Sequence, residues 1–191
     1  MALKRTGSQT LGPFFNYALR REGDNDLTRR SPSGPQADGE IVTLRGRVTD
    51  GASAPCQNVL VEIWQADAKG HHTDMDDSDA NFTGFGRTLT DDDGWYEFTT
   101  VIPGAVPGKG NAWQAPHISL SLFSSGLLKR VTTRVYFPDE DANKDDPVLS
   151  GIANETVRST LIAREVAPGP PRSISFDVIL QGEGETAFFD L

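Results

Sequence analysis

Three histidines are the side chains of this 191-residue sequence whose chemistry best suits a metal ligand or a proton carrier. His71 and His72 are neighbours, so in an extended segment they point to opposite sides and only one can serve a given site. His117 precedes Ser119 by two residues, a spacing that puts both side chains on one face of a strand. A His-x-His pair would aim two imidazoles at one ion, but Ser119 offers only a neutral hydroxyl. A hydrogen-bonded or solvated His117 is therefore favoured over a metal ligand.

Other patterns associated with catalysis or ligand binding are incomplete. The segment 84–86 (GFG) lacks the third glycine and the following helix of a dinucleotide fingerprint. The segment 91–94 (DDDG) lacks the ligand spacing of a calcium loop and predicts a solvated hairpin turn instead. No G-x-S-x-G nucleophile elbow occurs.

Composition narrows the class of protein. A net charge of −9 without a concentrated basic cluster disfavours nucleic acid as a partner. No stretch approaches the ~18 apolar residues that a membrane span needs, and no apolar run follows residues 1–5, so a signal peptide is not expected. The single cysteine, Cys56, excludes an intrachain disulfide and favours a reducing setting. We expect a cytoplasmic protein without a membrane partner.

The elements that would position these side chains are mostly short β-strands. Alternation of apolar and polar residues predicts strands over residues 41–48, 59–64, 95–100, 117–123 and 131–137, and a late strand in which Ile174, Phe176, Val178 and Leu180 share one face. One helix is predicted over residues 154–164, with Asn154 as its N-cap and an apolar stripe of Val157, Leu161 and Ile162. With frequent Gly and Pro turns, this indicates an all-β antiparallel β-sandwich with long loops and one or two short helices.

Two regions differ in composition. Residues 1–40 are polar and rich in turn formers apart from an apolar stretch at 11–15 (LGPFF), and they predict an N-terminal arm. Residues 41–191 predict the sandwich domain.

Several segments, in order along nearly the whole chain, resemble the intradiol ring-cleavage dioxygenases. They are residues 61–70 (VEIWQADAKG), 86–94 (GRTLTDDDG), 102–104 (IPG) and 115–118 (APHI), while residues 8–13 (SQTLGP) and 181–190 (QGEGETAFFD) resemble the α-type chains of that family in particular. The resemblance implies the β-sandwich of the intradiol dioxygenase type.

In the iron-binding members of this family, two tyrosines and two histidines hold one ferric ion. The resemblance places His72 and Val106 at the tyrosine positions, and His117 and Ser119 at the histidine positions. Val106 has no donor atom, and none of these residues supplies the phenolate oxygens that suit ferric iron. The resemblance therefore implies that this chain holds no metal and no catalytic residue, and that Fe³⁺ is bound by a homologous β-type partner in an αβ unit of a higher oligomer.

The implied reaction is cleavage of 3,4-dihydroxybenzoate (protocatechuate) by O₂ to 3-carboxy-cis,cis-muconate, in the β-ketoadipate route of aromatic catabolism. The resemblance places Thr10, Gly12, Pro13 and Arg134 in the wall of the substrate site. It also implies that the N-terminal arm and loop of residues 1–40 pack on the partner chain. Gly12 would let backbone approach the ligand, and the Arg134 guanidinium would pair with the substrate carboxylate.

Alternatives remain at this stage. The apolar residues at 11–15 would instead fix the arm on its own domain, and Arg134 would form a surface salt bridge. For the whole chain, one alternative is a self-sufficient dioxygenase whose unusual iron site uses His72 and His117. The other is a non-catalytic β-sandwich binding module that reuses the fold.

Overall fold

A computed structural model describes residues 10–12, 14–167 and 169–190 of the chain. Within these ranges the strands are β1 (Ile41–Thr49), β2 (Leu60–Trp64), β3 (Phe85–Leu89), β4 (Trp95–Val101), β5 (Val106–Pro107), β6 (Trp113–Gln114), β7 (His117–Phe123), β8 (Val131–Tyr136), β9 (Arg164–Ala167), β10 (Arg172–Ser175) and β11 (Val178–Ile179). The helical segments are a 3₁₀ turn (Asp141–Lys144), α1 (Pro147–Ser150) and α2 (Glu155–Ser159). No helix in the described ranges is long and apolar enough to span a membrane.

Two sheets pack face to face around one main core. In the first sheet, β1 pairs with β4 on one side and with β10 and β11 on the other, while β9 continues the sheet from β10. The second sheet has the antiparallel order β3-β2-β7-β8. The predicted all-β sandwich is confirmed, with one difference: β1 runs parallel to β10 and β11, which makes the first sheet mixed.

Strand β7 shows how the sequence positions the core. Ile118, Leu120 and Leu122 are fully buried in the main cluster, and the alternate residues His117 and Ser119 are partly exposed on the other face. Successive side chains of a strand point to opposite faces, so burial of one set leaves the other on the outer surface of the sheet. The predicted core face of β7 is confirmed.

The helix predicted over residues 154–164 is too long. Asn154 is its N-cap as predicted, but α2 ends five residues before the predicted end. The chain leaves the helix because the Tyr136 N–H donates to the Leu161 carbonyl at 2.9 Å, which draws this segment alongside β8. Val157 is 38% exposed, so the predicted apolar stripe is wrong at that residue.

The predicted late strand is interrupted between β10 and β11. Ile174, Phe176 and Val178 are buried, as expected from their shared face. At the break, the Asp177 carboxylate accepts a hydrogen bond from the Arg47 N–H at 3.1 Å, so a side chain replaces a ladder carbonyl as the acceptor. Sequence alternation alone carries no signal of such a substitution.

Residues 91–94 form the predicted turn, but the strands on either side of it do not pair with each other as a hairpin requires. The turn itself forms, with Gly94 at φ +80° and the Asp91 carboxylate accepting from the Trp95 N–H at 2.8 Å. However, β3 pairs with β2 and β4 pairs with β1, so the turn carries the chain from one sheet to the other.

Part of the N-terminal arm belongs to the main core. Leu27 is fully buried there, its N–H donates to the Thr99 carbonyl at 2.9 Å, and its own carbonyl accepts from the Thr83 N–H at 3.1 Å. The arm is therefore anchored on its own sandwich near Leu27. That earlier arm residues pack on a partner chain stays a prediction.

Candidate functional site

His72 and Ser119, two of the positions compared with the family's metal ligands, both lie next to Trp64 at one end of the second sheet. Trp64, the last residue of β2, pairs with Ser119 of β7. The His72 ring stacks on the Trp64 ring, with centroids 5.6 Å apart and planes within 3°. His71 turns elsewhere and places Nδ1 3.1 Å from the Asp77 carbonyl. As predicted, the two adjacent histidines serve different surroundings.

The loop that carries His72 is organised by one buried carboxylate. Asp67 is 2% exposed, and its oxygens accept from the N–H groups of Lys69, His71 and Asp79 at 2.8–2.9 Å. Burial by itself raises the pKa of this carboxyl, but the three donors more than offset burial and hold the pKa below its ordinary value. Asp67 is thus an ionised hub that fixes the loop.

His117 is a neutral, hydrogen-bonded imidazole. Its Nδ1 lies 2.8 Å from the Ala115 carbonyl, and because a carbonyl only accepts, Nδ1 carries the proton. Burial, followed by the nearby Arg134 charge, lowers the pKa of His117 to about 4, with a smaller contribution from His72. The structure shows the hydrogen bond of His117, while its not being a metal ligand stays a prediction.

Arg134 lies beside this imidazole and is held by neutral partners. It pairs with Ser119 across the β7–β8 ladder, and its Nη1 donates to Gln114 Oε1 at 2.7 Å and to the Tyr136 hydroxyl at 3.3 Å. Gln114 in turn pairs with Val106 in the small β5–β6 ribbon. Among the residues that the structure describes, Arg134 forms no salt bridge; its hydrogen bonds go to neutral groups instead.

Behind Tyr136 lies a second buried carboxylate, Asp146. It is fully buried and accepts from the Tyr136 hydroxyl at 3.1 Å, from the Ala115 N–H at 2.8 Å, and from the first N–H groups of α1. Tyr136 packs in a small second core with Ala115, Leu149 and Leu161. The segment around α1 therefore covers this end of the sheet and fixes the tyrosine.

The residues present do not fit a ferric ion. Val106 carries no donor atom and Ser119 only a neutral hydroxyl, where ferric iron calls for anionic oxygen ligands. The Arg134 guanidinium adds a fixed positive charge, and the field that lowers the His117 pKa also disfavours a second cation at that ring. Among the described residues, no three His, Cys, Asp or Glu side chains are grouped to hold a metal ion. That the chain binds no iron stays a prediction.

The arm residues lie away from Arg134 within this chain. Leu11 forms an isolated bridge with Ser125, which follows β7 and stands six positions after Ser119, the ladder partner of Arg134. At about 3.3 Å per residue, six positions correspond to roughly 20 Å of extended chain. The structure does not bring these two parts of the predicted wall together.

The predicted wall residues of the arm are exposed where the structure describes them. Thr10 and Gly12 are on the surface, and Pro13 lies outside the described residues. Phe14 is 71% exposed and stacks on Tyr17, which is 77% exposed, with centroids 5.7 Å apart. Phe14 therefore does not pin the arm to its own domain, but Leu11, through its bridge with Ser125, does contact that domain, so the alternative is wrong only for Phe14.

Sequence reasoning missed Gln114 and Asp146. The Asp146-Pro147 pair carries a local signal, because Asp is a favoured N-cap and Pro a favoured first helical residue, and α1 begins there. Gln114 has no such signal, since its contact with Arg134 joins residues 20 positions apart.

The sequence of this chain is similar to a family of known proteins. A family model described as "Dioxygenase" matches residues 11–182. The protocatechuate 3,4-dioxygenase alpha chain of Pseudomonas putida is 40% identical over 195 residues, covering 98% of this chain and 97% of that relative. The protocatechuate 3,4-dioxygenase beta chain of Burkholderia cepacia is 37% identical over 191 residues, covering 94% of this chain and 77% of that one.

Among solved structures, the dioxygenase domain of a dioxygenase carbohydrate-binding protein fusion from Streptomyces sp. SirexAA-E is similar, with a TM-score of 0.63 and 27% identity. That match covers 96% of this chain and 100% of the domain.

Proposed function

The chain belongs to the intradiol dioxygenase family, and from this premise we propose that it acts as the α-type subunit, without iron of its own, of a heteromer that cleaves protocatechuate. The reaction inserts both atoms of O₂ into 3,4-dihydroxybenzoate and opens the ring to 3-carboxy-cis,cis-muconate, a step of aromatic catabolism in the β-ketoadipate pathway. The family is iron-dependent, and Fe³⁺ held by a homologous β-type chain would supply activation of the ring toward dioxygen.

The observation that carries this proposal is that the chain has the fold of an iron-dependent family but lacks the donor atoms that would bind the iron. The fold and most of the sequence are those of an intradiol dioxygenase, yet Val106 and Ser119 stand where anionic or imidazole ligands are needed, and Arg134 places a permanent cation beside His117. A chain with this fold and no ferric site is one that completes a site on another chain. Relatives named as alpha and as beta chains both exist, which supports a heteromer.

In this heteromer the chain shapes the substrate site. Thr10, Gly12 and Pro13 form part of the wall, where the exposed arm excludes water from the ring. Because these arm residues lie away from Arg134 within one chain, the arm and Arg134 would line the same site only where copies of this chain come together in the higher oligomer. Arg134 provides a guanidinium for the substrate carboxylate. The lone Cys56, partly buried and with its pKa raised by burial, suits a reducing cytoplasm, which we propose as the location.

The test is expression of the chain alone and together with a β-type chain. Alone, we expect no stoichiometric iron and no O₂ uptake with 3,4-dihydroxybenzoate. When the two chains are expressed together, we expect one iron per αβ unit and ring cleavage. The cleavage is measured as the loss of substrate absorbance.

His117→Ala in this chain is the matched control for iron content. The αβ heteromer should keep its iron, because His117 is not a ligand on this proposal. A self-sufficient enzyme would hold iron without the partner and lose it in this variant, and a non-catalytic binding module would neither associate with a β-type chain nor alter its activity. Either result would overturn the proposal.

A further inference from the structure

The guanidinium of Arg134 is oriented by one of its two terminal nitrogens. In the described part of the chain its hydrogen bonds run through Nη1, to Gln114 Oε1 at 2.7 Å and to the Tyr136 hydroxyl at 3.3 Å. The other edge of the fork, Nε with Nη2, is an edge that binds a carboxylate through two parallel N–H···O bonds. Holding Nη1 therefore presents that second edge in a fixed direction.

Tyr136 links this guanidinium to a buried negative charge. Its hydroxyl accepts from Arg134 and donates to Asp146 Oδ1 at 3.1 Å. Burial raises the pKa of the Tyr136 phenol to about 12, so the hydroxyl keeps the proton that it donates to the carboxylate. Each hydrogen bond in this series therefore joins a donor to an acceptor: the guanidinium donates to the phenol oxygen, and the phenol donates to the carboxylate.

Asp146 is itself held by several hydrogen bonds. It is fully buried, its oxygens also accept three backbone N–H groups, and it caps α1. A flexible arginine side chain loses conformational freedom when it is ordered by a ligand. A network that orders Arg134 beforehand removes part of that loss from substrate binding.

We propose that Gln114 and Tyr136, with Asp146 behind Tyr136, are positioning residues that hold the Arg134 guanidinium ready for the carboxylate of the substrate. The inference rests on the proposed function, in which Arg134 contacts that carboxylate. Gln114, Tyr136 and Asp146 do not touch substrate; they act through Arg134. Their effect should therefore appear in the Michaelis constant for carboxylated substrates and not in iron binding.

The experiment compares Arg134→Ala, Gln114→Leu and Tyr136→Phe in the αβ heteromer. KM and kcat are measured with 3,4-dihydroxybenzoate and with catechol, which has the same ring without the carboxylate. We expect Arg134→Ala to raise KM for 3,4-dihydroxybenzoate about tenfold or more, and the two positioning variants to raise it about threefold to tenfold. KM for catechol, kcat and iron content should stay close to the parent values.

Tyr96→Phe is the matched control for Tyr136→Phe. Tyr96 is also buried, and its hydroxyl donates to the Phe176 carbonyl at 2.6 Å in the first sheet. Both variants remove one buried hydroxyl and keep the ring. Tyr96→Phe should lower the melting temperature and leave both Michaelis constants unchanged.

The outcomes separate the two proposals. If Arg134→Ala leaves KM unchanged, Arg134 does not contact the carboxylate, and that part of the proposed function fails together with the inference. If Arg134→Ala raises KM but Gln114→Leu and Tyr136→Phe do not, the contact stands and the positioning role is wrong. If KM rises equally for catechol and for 3,4-dihydroxybenzoate, the substitution has damaged the site in general. That result would also contradict the positioning role of Gln114 and Tyr136.

Discussion

At the scale of single residues, Gly46 of β1 is the described glycine whose added Cβ atom would meet a neighbour at the shortest distance. A Cβ atom added there would lie 1.8 Å from the Phe176 carbonyl oxygen and 2.6 Å from the Tyr96 hydroxyl. The hydroxyl donates to that same carbonyl at 2.6 Å, at the break between β10 and β11. Glycine at residue 46 therefore leaves the space in which the buried Tyr96 hydroxyl donates to the Phe176 carbonyl between β10 and β11.

Gly46→Ala should lower the free energy of unfolding by about 3 kcal/mol or more, because the methyl group displaces backbone and breaks a buried hydrogen bond. Urea unfolding of the isolated chain measures this. Gly169→Ala is the control, since a Cβ there meets no described atom within 4 Å. Equal stability of the two variants would contradict the close-approach argument.

At the scale of elements, the loop between β2 and β3 is organised around the buried Asp67 carboxylate. Three backbone N–H groups from Lys69, His71 and Asp79 converge on its carboxylate. The loop brings His72 against Trp64. Because the donors are backbone groups, a side chain that accepts at both oxygens is required to satisfy them.

Asp67→Asn should destabilise the chain by about 1–3 kcal/mol at neutral pH, because the amide nitrogen cannot accept from a backbone N–H. The folded pKa of Asp67 is depressed, so its ionised form contributes stability above the unfolded pKa of about 3.9, and this contribution disappears as pH falls through the folded pKa. Unfolding free energies of parent and variant should therefore begin to converge as pH falls below about 4 and should meet below the folded pKa of Asp67. A pH-independent difference would show that the charge is not involved.

At the scale of the whole molecule, the exposed arm is the part that we propose lines a site formed with a second chain. Gly12 is on the surface, does not have a positive φ, and a Cβ there meets no described atom of its own chain within 4 Å. Nothing in this chain's described structure therefore demands glycine at residue 12.

Gly12→Val should leave the melting temperature of the isolated chain unchanged but reduce turnover of the αβ heteromer, because the added side chain intrudes on a site formed with the partner. Thermal unfolding of the chain alone and steady-state kinetics of the heteromer measure the two effects. Gly169→Val, another substitution into open space, should affect neither quantity. Full activity of Gly12→Val would remove Gly12 from the wall.

The sequence by itself determined the features that depend on local pattern and residue type. Alternation located β1, β2, β4, β7 and β8 and the buried face of β7, because a period of two is a property of the strand alone, but it gave no prediction for β3, β5, β6 or β9. Asn154 marked a helix start, since an N-cap bonds within its own first turn. The missing donor at Val106 and the family were also readable without coordinates, because side-chain chemistry and ordered motifs need no geometry.

Only the tertiary structure decided where chain segments meet. The crossing between sheets at residues 91–94, the early end of α2 and the parallel pairing of β1 all depend on partners distant in sequence. The same holds for the Arg134 network, whose contacts with Gln114 and Asp146 arise from packing of the small second core against the sheet. Local propensity cannot encode such contacts, because their free energy exists only once the separate elements are brought together.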